Sequence, residues 1–324
     1  MLKIGMIGAG IAKEVHLPAI SMSNYFEVEG IVTSQKIKKI QTFSSIEDLL
    51  EKKRIDLFLI ATPPSTHFDL TKKIIHLKKP IYYEKPFCLN LNEAKKLGFL
   101  LKKNKIKHCI GYQFRYELGL KKLKGLIKKN KIGKISKINI DWLTKKRPVK
   151  KNSWKGLNHQ GAGVDMNYLT HCLDYLKWLI NFKELNVDYY NIQSFKSKIY
   201  DDLNLHMTLD RKIGVSLRII NNLKSSIGHK IQIIGDGGAF ELFWKYPFDG
   251  ENTFLSLYNN KVTQYKLLKE NKFYKIDTRI NAVKSLWDEF YKSLFDEKIK
   301  SDVPDSKHAV QIHKYLANLK LEFK

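Results

Sequence analysis

The chain predicts an α/β protein: an N-terminal Rossmann doubly wound parallel sheet, followed by an α+β domain with a large open, mostly antiparallel sheet. Three observations carry this expectation. Short apolar runs alternate with amphipathic stretches over the first third of the sequence. A Gly8-x-Gly10 turn stands between the first apolar run and the first helical stretch. After about residue 117 longer strand-like stretches follow one another with few helices between them.

The elements follow in order. Residues 2–7 form an apolar strand, 11–21 a helix and 28–32 a second strand. Residues 45–52 form a short helix, opened by a serine with an acidic first turn. A third strand at 56–61, a helix at 66–77, a strand at 81–83, a helix at 92–103 and a strand at 108–112 complete the first part. Five apolar strands separated by helices make a parallel sheet covered on both faces, with right-handed crossovers. Residues 118–129 are amphipathic and helical. Strands are then expected at 135–143, 185–195, 203–209, 214–220, 230–234, 239–243 and 254–258, with one helix at 164–179. Helices return at 282–295 and 306–321. The expected domains are 1–117, binding a dinucleotide, and 118–324, binding substrate.

Composition narrows the function classes. Hydrophobic residues make up 43% and charged residues 28%, as in soluble globular proteins. The net charge of +26 invites a nucleic-acid partner, but only six of the 58 basic residues are arginine and the lysines run along the whole chain. A solvated basic surface is the expected reading, with no specific nucleic acid; its field would attract phosphorylated small molecules. Cys88, Cys109 and Cys172 are far apart and lack metal-ligand spacing, so no metal is expected and the thiols read as reduced, in a cytoplasmic protein. The N-terminal apolar run is too short for a signal peptide, and no run approaches the ~18 apolar residues of a membrane span, so no membrane partner is expected.

The glycine loop reads IGMIGAGIAKEVHLPAI. Gly8 permits the tight turn and Gly10 lets the backbone approach a pyrophosphate. The helix start at Ile11 and Ala12 supplies unpaired N–H groups and a partial positive charge. The third small residue is out of register: Lys13 holds its usual position and Ala12 comes one residue early. At the end of the second strand, Thr33, Ser34, Gln35 and Lys36 include no carboxylate to hold ribose hydroxyls. Small hydroxyls with Lys36 and Lys38 suit a 2′-phosphate, which favours NADP(H), with NAD(H) the alternative.

The stretch YYEKPF places Lys85 between a glutamate and a proline, just past an apolar strand. The carboxyl ends of parallel strands are where such folds bind ligands. Pro86 fixes its own backbone and disfavours helix at Lys85, so the ammonium is held at that edge. Glu84 can steer or partly neutralise it. Gln113 and Arg115 follow the fifth strand and face the same edge, Arg115 being also a candidate for a structural ion pair. In GAGVDMNYLTHCLDYLKWL, helical spacing puts Asn167, His171, Asp174 and Trp178 on one face, opposite Leu169, Cys172, Leu173, Leu176 and Leu179. His171 suits proton exchange with a hydroxyl, and a structurally bonded histidine is the alternative. Asp174 reads as a residue that orients a neighbour. The loop before this helix offers Lys145, Arg147, Trp154, Lys155 and Asn158. Trp154 could stack on a sugar ring, and Arg147 or Lys155 could hold a phosphate, against the alternative of solvated loop residues. His16 and His108 are assigned no catalytic role.

Three motifs stand in order, GAG…HLPAI, ATPPSTH…EKP and GAGVDMNYLTHCLD, with GYQFRY at 111–116 and the final helices NAVKSLWDEFYKSL and HAVQIHKYLANLKL. Together they resemble the glucose–fructose oxidoreductase and inositol dehydrogenase (Gfo/Idh/MocA) family over nearly the whole chain. The resemblance implies an active site between two domains and an open sheet that serves as an oligomer interface, hence a homo-oligomer (dimer or tetramer). It implies that Lys85 touches both the nicotinamide ribose and the reacting hydroxyl, and that His171 is the acid–base residue. Thr62, Pro63 and His67 match the segment lining the cofactor, with Glu84 beside it. Two departures bear on substrate and reaction direction. Asn167 stands where relatives carry aspartate, and Leu169 where they carry glycine. Asp165, about 160° around the helix from Asn167, reads as a favourable first-turn charge. The implied activity is hydride transfer between a nicotinamide and a secondary hydroxyl or ketone of a sugar, cyclitol or nucleotide-linked sugar. The alternative is a non-catalytic dinucleotide-binding sensor of the same fold, for which Asn167 is the best support.

Overall fold

The computed structural model describes residues 1–145, 162–194, 199–246, 253–259, 262–267, 279–296 and 302–319. Arg147, Trp154, Lys155 and Asn158 lie outside the described residues. The chain folds as two compact units, residues 1–113 with 279–314 and residues 114–278 with 315–324. The first unit ends at 113, four residues before the expected cut, and it also takes in residues 279–314 from the expected second domain.

In the first unit the strands are β1 (Leu2–Ile7), β2 (Phe26–Val32), β3 (Thr42–Phe43), β4 (Leu57–Ile60), β5 (Ile81–Tyr83) and β6 (His108–Ile110). They form one parallel sheet in the order β3-β2-β1-β4-β5-β6. That order reverses direction between β1 and β4, and ligands of such sheets bind outside the carboxyl ends at this switch point. β3 extends the five expected strands to six. Two residues paired to Ile31 and Val32 are too few to leave a periodic signal.

The helices are α1 (Leu17–Ser21), α2 (Ile46–Lys52), α3 (His67–Ile74) and α4 (Leu91–Lys103), with a π turn at Ala12–His16 running into α1. The starts of α2 and α4 follow from side-chain caps. Ser45 accepts the Asp48 N–H at 3.0 Å and Asn90 accepts the Glu93 N–H at 3.0 Å, while Glu93 reaches back to the Leu89 N–H at 3.2 Å. Each cap satisfies a donor the helix cannot, contributing about 1 kcal/mol.

Helix α7 (Arg279–Phe295) belongs to this core because of its aromatic face. Trp287 is fully buried, stacked on Tyr82 at 4.3 Å and edge-on to Phe26 at 5.1 Å. Tyr291 stacks on Tyr25 at 4.3 Å, and Ser23 donates to Asp288 Oδ1 at 2.8 Å. A fully buried aromatic contributes about 2–3 kcal/mol over an exposed one. At the start of α8 (Ser306–Asn318) the Ser306 N–H donates to His108 Nε2 at 2.9 Å, and the Ile110 N–H donates to Pro304 O at 2.8 Å. His108 is thus structural.

In the second unit α5 (Leu118–Lys128) is capped by Glu117, whose Oε2 accepts the Gly119 and Leu120 N–H groups at 2.7 and 3.1 Å. The strands are β7 (Ile135–Lys145), β8 (Leu185–Gln193), β9 (Asp202–Leu209), β10 (Ile213–Leu223), β11 (Gly228–Gly235), β12 (Gly238–Lys245), β13 (Thr253–Tyr258) and β14 (Val262–Leu267). They form an eight-stranded sheet in the order β14-β13-β12-β11-β7-β10-β9-β8, antiparallel except for β7 against β10. β9 shows why one face is core: Leu203, Leu205, Met207 and Leu209 are buried, and His206 between them is exposed.

Helix α6 (Thr170–Ile180) follows a π turn at Asp165–Leu169. The wider turn breaks the regular spacing from which the face shared by Asn167 and His171 was expected. The expected face is also not uniformly outward. Trp178 and Asn167 are half-buried, whereas His171 and Asp174 are buried. Asp174 is inward because Arg115 grips it: Nε donates to Oδ1 and Oδ2 at 3.0 and 3.2 Å and Nη2 donates to Oδ1 at 2.6 Å. Lys124 Nζ sits 3.8 Å above the Trp178 ring. Asp165 corrects another expectation. It is 1% exposed, neither carboxylate oxygen has a hydrogen-bond partner among the described residues, and burial pushes its carboxyl up to about 6. No helix among the described residues is long and apolar enough to cross a membrane.

Two stability predictions follow from these buried polar groups. Arg115→Leu or Asp174→Leu alone strands a buried charge and should cost about 3–5 kcal/mol, while the double variant recovers most of it, measured by urea unfolding. A carboxyl whose folded pKa is raised favours its protonated form, so its stabilisation is complete below the unfolded value of 3.8 and is lost as pH rises through about 6. Asp165→Asn should therefore stabilise above pH 6, by up to ~3 kcal/mol for the two-unit shift, and change little at pH 4; melting temperatures at the two pH values check this.

Candidate active site

The first unit gathers the predicted cofactor residues on the carboxyl edge of its sheet. Gly8 follows β1 with φ +97°, and a Cβ there would meet Ala61 O at 2.6 Å. Only glycine fits, because β1 and β4 part at this point and the two loops touch. The Gly8 N–H donates to Val32 O at 3.0 Å and the Ala61 N–H to Ile7 O at 2.9 Å, fixing the turn to its neighbours. A Cβ on Gly10 would meet nothing within 4 Å. Residues 10 and 11 are already helical, the Lys13 N–H donating to Ala9 O at 3.0 Å, and Ala9 has no side-chain group to cap this start. A tight glycine turn, an open approach at Gly10 and an uncapped helix start fit a dinucleotide pyrophosphate. The Ala12 methyl is buried, so this residue has only its backbone to offer.

After β2, Thr33 is half-buried and Ser34, Gln35 and Lys36 are exposed. Thr33 Oγ1 accepts the Gln35 N–H at 3.1 Å, a local turn that presents these polar groups at the strand end. The two acidic residues of β2 lie further back. Glu29 is held by Lys3 and Lys53, with the Lys3 contact at 2.5 Å.

After β4, Thr66 Oγ1 donates to Pro63 O at 2.7 Å and so accepts from Thr62 Oγ1, 2.6 Å away. His67 departs from its expected place on the cofactor surface. It is 1% exposed, with Nδ1 2.9 Å from Phe87 O and Nε2 3.2 Å from Thr62 O. Burial holds its ring below the usual histidine range, so it is neutral and donates once, to the nearer Phe87 carbonyl. It pins the loop after β4 to the loop after β5 from behind.

Lys85 is half-buried just past β5, before a cis Lys85–Pro86 bond. Glu84 beside it is buried, and its oxygens are taken inside the protein. Oε1 lies 2.7 Å from His16 Nε2, and Oε2 accepts the Lys85 backbone N–H at 3.1 Å. Burial alone would raise this carboxyl, but the hydrogen bond from His16, with the Lys85 charge adding to it, holds it below the usual range. Glu84 thus holds the backbone of the lysine turn from inside the protein. His16, set aside in the sequence, is fully buried and receives the Trp287 indole N–H on Nδ1 at 3.0 Å. Its signal was position alone, on the helix that the glycine loop opens. Gln113, after β6, is 8% exposed, and its Oε1 is a buried acceptor with no hydrogen-bond partner among the described residues. Arg115, expected at the same edge, is committed to Asp174 in the second unit.

In the second unit His171 is 4% exposed, with Phe114 edge-on at 4.7 Å and Trp142 at 6.4 Å. Trp142, His229 and Trp244 stack behind it at 4.1 and 4.9 Å. Burial pushes His229 down to about 3, and Tyr175 Oη lies 3.1 Å from its Nε2, so this ring is a neutral part of the wall. Spacing gave no sign of it, since the sheet brings Trp142, His229 and Trp244 together from three strands.

Comparison with known proteins identifies the family. Residues 2–112 match the oxidoreductase family, NAD-binding Rossmann fold, and residues 124–304 match its C-terminal α/β domain. The rhizopine catabolism protein MocA of Rhizobium meliloti is 26% identical over 265 residues, 78% of this chain and 82% of that protein. The scyllo-inositol 2-dehydrogenase (NADP(+)) IolW of Bacillus subtilis is 20% identical over 257 residues, 77% and 70% of the two chains. Among solved structures, an Agrobacterium radiobacter oxidoreductase in complex with NAD+, L-tartaric acid and magnesium covers 98% of this chain and 94% of its own; it is 14% identical, with a TM-score of 0.78. The transcriptional regulator Gal80p of a Kluyveromyces yeast shares the fold at the same TM-score, 17% identity and 98% and 88% coverage. The two matches together span most of the sequence, and the chain belongs to the Gfo/Idh/MocA oxidoreductase family.

Proposed function

We propose that this protein transfers a hydride between NADP(H) and a secondary hydroxyl or ketone of a sugar, cyclitol or nucleotide-linked sugar. The observation that carries the reading is Lys85, fixed by Glu84 at the carboxyl end of β5 on the edge that holds the glycine turn. The nicotinamide, when bound, supplies or accepts the hydride. Gly8, Gly10, Ile11 and Ala12 would hold its pyrophosphate with backbone groups, and Thr62 and Pro63 would border it. Lys85 then polarises the substrate oxygen, and the His171 imidazole takes its proton in oxidation or returns it in reduction. Gln113 and Asn167 offer amide groups for the remaining hydroxyls. Asn167 bonds a hydroxyl but brings no charge to the histidine, so His171 works here without a carboxylate at that position.

NADP(H) is preferred over NAD(H) because no carboxylate follows β2, where Ser34 and Lys36 are exposed to a 2′-phosphate. The NADP+-linked relative from Bacillus subtilis supports this choice and the cyclitol class. Assembly as a dimer or tetramer through the open face of the second unit's sheet is part of the same reading, drawn from the family resemblance.

A regulatory reading has one point in its favour, the shared fold of the transcriptional regulator Gal80p. In that case the dinucleotide would be sensed rather than used. Turnover of a panel of sugars and cyclitols with both dinucleotides separates the two readings. Lys85→Ala should lower kcat by about 100-fold or more while NADP(H) still binds. Wild-type kcat/KM should favour NADPH over NADH by about tenfold or more, and Lys36→Ala should shrink that ratio through KM. Dinucleotide binding with no turnover across the panel would favour the sensor.

A further inference from the structure

We infer that His16 and Trp287 are positioning residues for Lys85, acting through Glu84 as a buried relay that joins the first helix and the C-terminal helix α7 to the EKP turn. The relay is read from donors and acceptors. An indole nitrogen only donates, so the Trp287 N–H directed at His16 Nδ1, 3.0 Å away, makes that nitrogen an acceptor. The proton of the neutral ring then sits on Nε2, where it donates to Glu84 Oε1 at 2.7 Å. The other carboxylate oxygen accepts the Lys85 backbone N–H at 3.1 Å. His16 and Trp287 are fully buried and Glu84 nearly so, so water does not replace a lost partner.

Packing holds the chain in place. Tyr82, three residues before Lys85, meets the His16 ring edge-on at 5.2 Å and stacks on Trp287 at 4.3 Å. Trp287 also lies edge-on to His16 at 6.0 Å. The ring that chooses the His16 tautomer thus packs on the strand that leads into Lys85. The Lys85 ammonium acts on Glu84 electrostatically, and the carboxylate acts on the ammonium in return. Without the His16 N–H, a buried Glu84 favours its neutral form, and Lys85 loses the negative charge beside it and the acceptor for its amide.

The consequence for hydride transfer rests on the proposed function, but the relay itself does not, and its test needs no turnover. Trace labelling of the apoprotein with acetic anhydride at pH 8, with peptides quantified by mass spectrometry, reads the reactivity of Lys85 directly. In His16→Leu the Lys85 labelling rate should rise by about threefold or more relative to wild type, and kcat should fall by about 100-fold. His16→Gln, whose amide N–H can reach the Glu84 oxygen, should bring labelling back to within about threefold of wild type. Trp287→Phe removes the indole donor and keeps a stacking ring, so it should move labelling in the same direction by less; it stands in if His16→Leu does not fold. Unchanged Lys85 labelling in a folded His16→Leu, or in Trp287→Phe when that variant stands in, overturns the relay. A labelling shift in a protein that turns over no substrate sustains the relay and removes the hydride-transfer reading alone.

Discussion

A carboxylate buried at the end of a parallel strand is the constraint around which the first unit is organised. Taking Glu84 out of water is unfavourable by several kcal/mol unless hydrogen bonds replace the lost solvent. The sequence supplies them from separate places: a histidine on the first helix and the amide of the next residue in its own turn. The histidine in turn needs a donor on its far side, and that donor comes from α7. The strand-end lysine, the glycine-loop helix and a C-terminal helix are thereby held by one chain of donors and acceptors.

The second unit handles buried charge in two opposite ways on one helix and its lead-in turn. Asp174 is matched by a guanidinium that binds both its oxygens, which anchors α6 to the segment that enters the unit. Asp165, nine residues earlier, has no such match and is held up by burial alone. His171 lies between them in sequence, against an aromatic wall. The contrast shows that a buried, bidentate ion pair fixes the helix that carries the imidazole.

Most of the fold was legible because its signals are local. Apolar strands, the Ser45 cap and the Gly8 turn each depend on a few neighbouring residues, and the parallel sheet of β1, β2, β4, β5 and β6 follows from a strand–helix alternation that sequence displays directly. Lys85 was legible for the same reason, since a strand end followed by proline needs no tertiary knowledge. Other features rest on long-range partners. The inward turn of Asp174 depends on Arg115, 59 residues away, and the burial of His16 depends on Trp287, 271 residues away. The π turns at Ala12–His16 and Asp165–Leu169 shift side chains from the faces that regular spacing assigns, which is why the helix face around Asn167 was only partly read. β3 and the return of α7 to the first unit are pairings no local pattern announces.

That return has a bearing on how the protein is made. The dinucleotide-binding unit begins at residue 1 but borrows Trp287 and its neighbours from the far end of the chain. During synthesis at ~5–20 residues per second, its sheet must wait roughly ten seconds or longer for that helix to leave the ribosome. Through this interval the Tyr82 and Phe26 rings lack their cover, so a nascent chain offers a sticky aromatic surface that chaperones would be expected to shield.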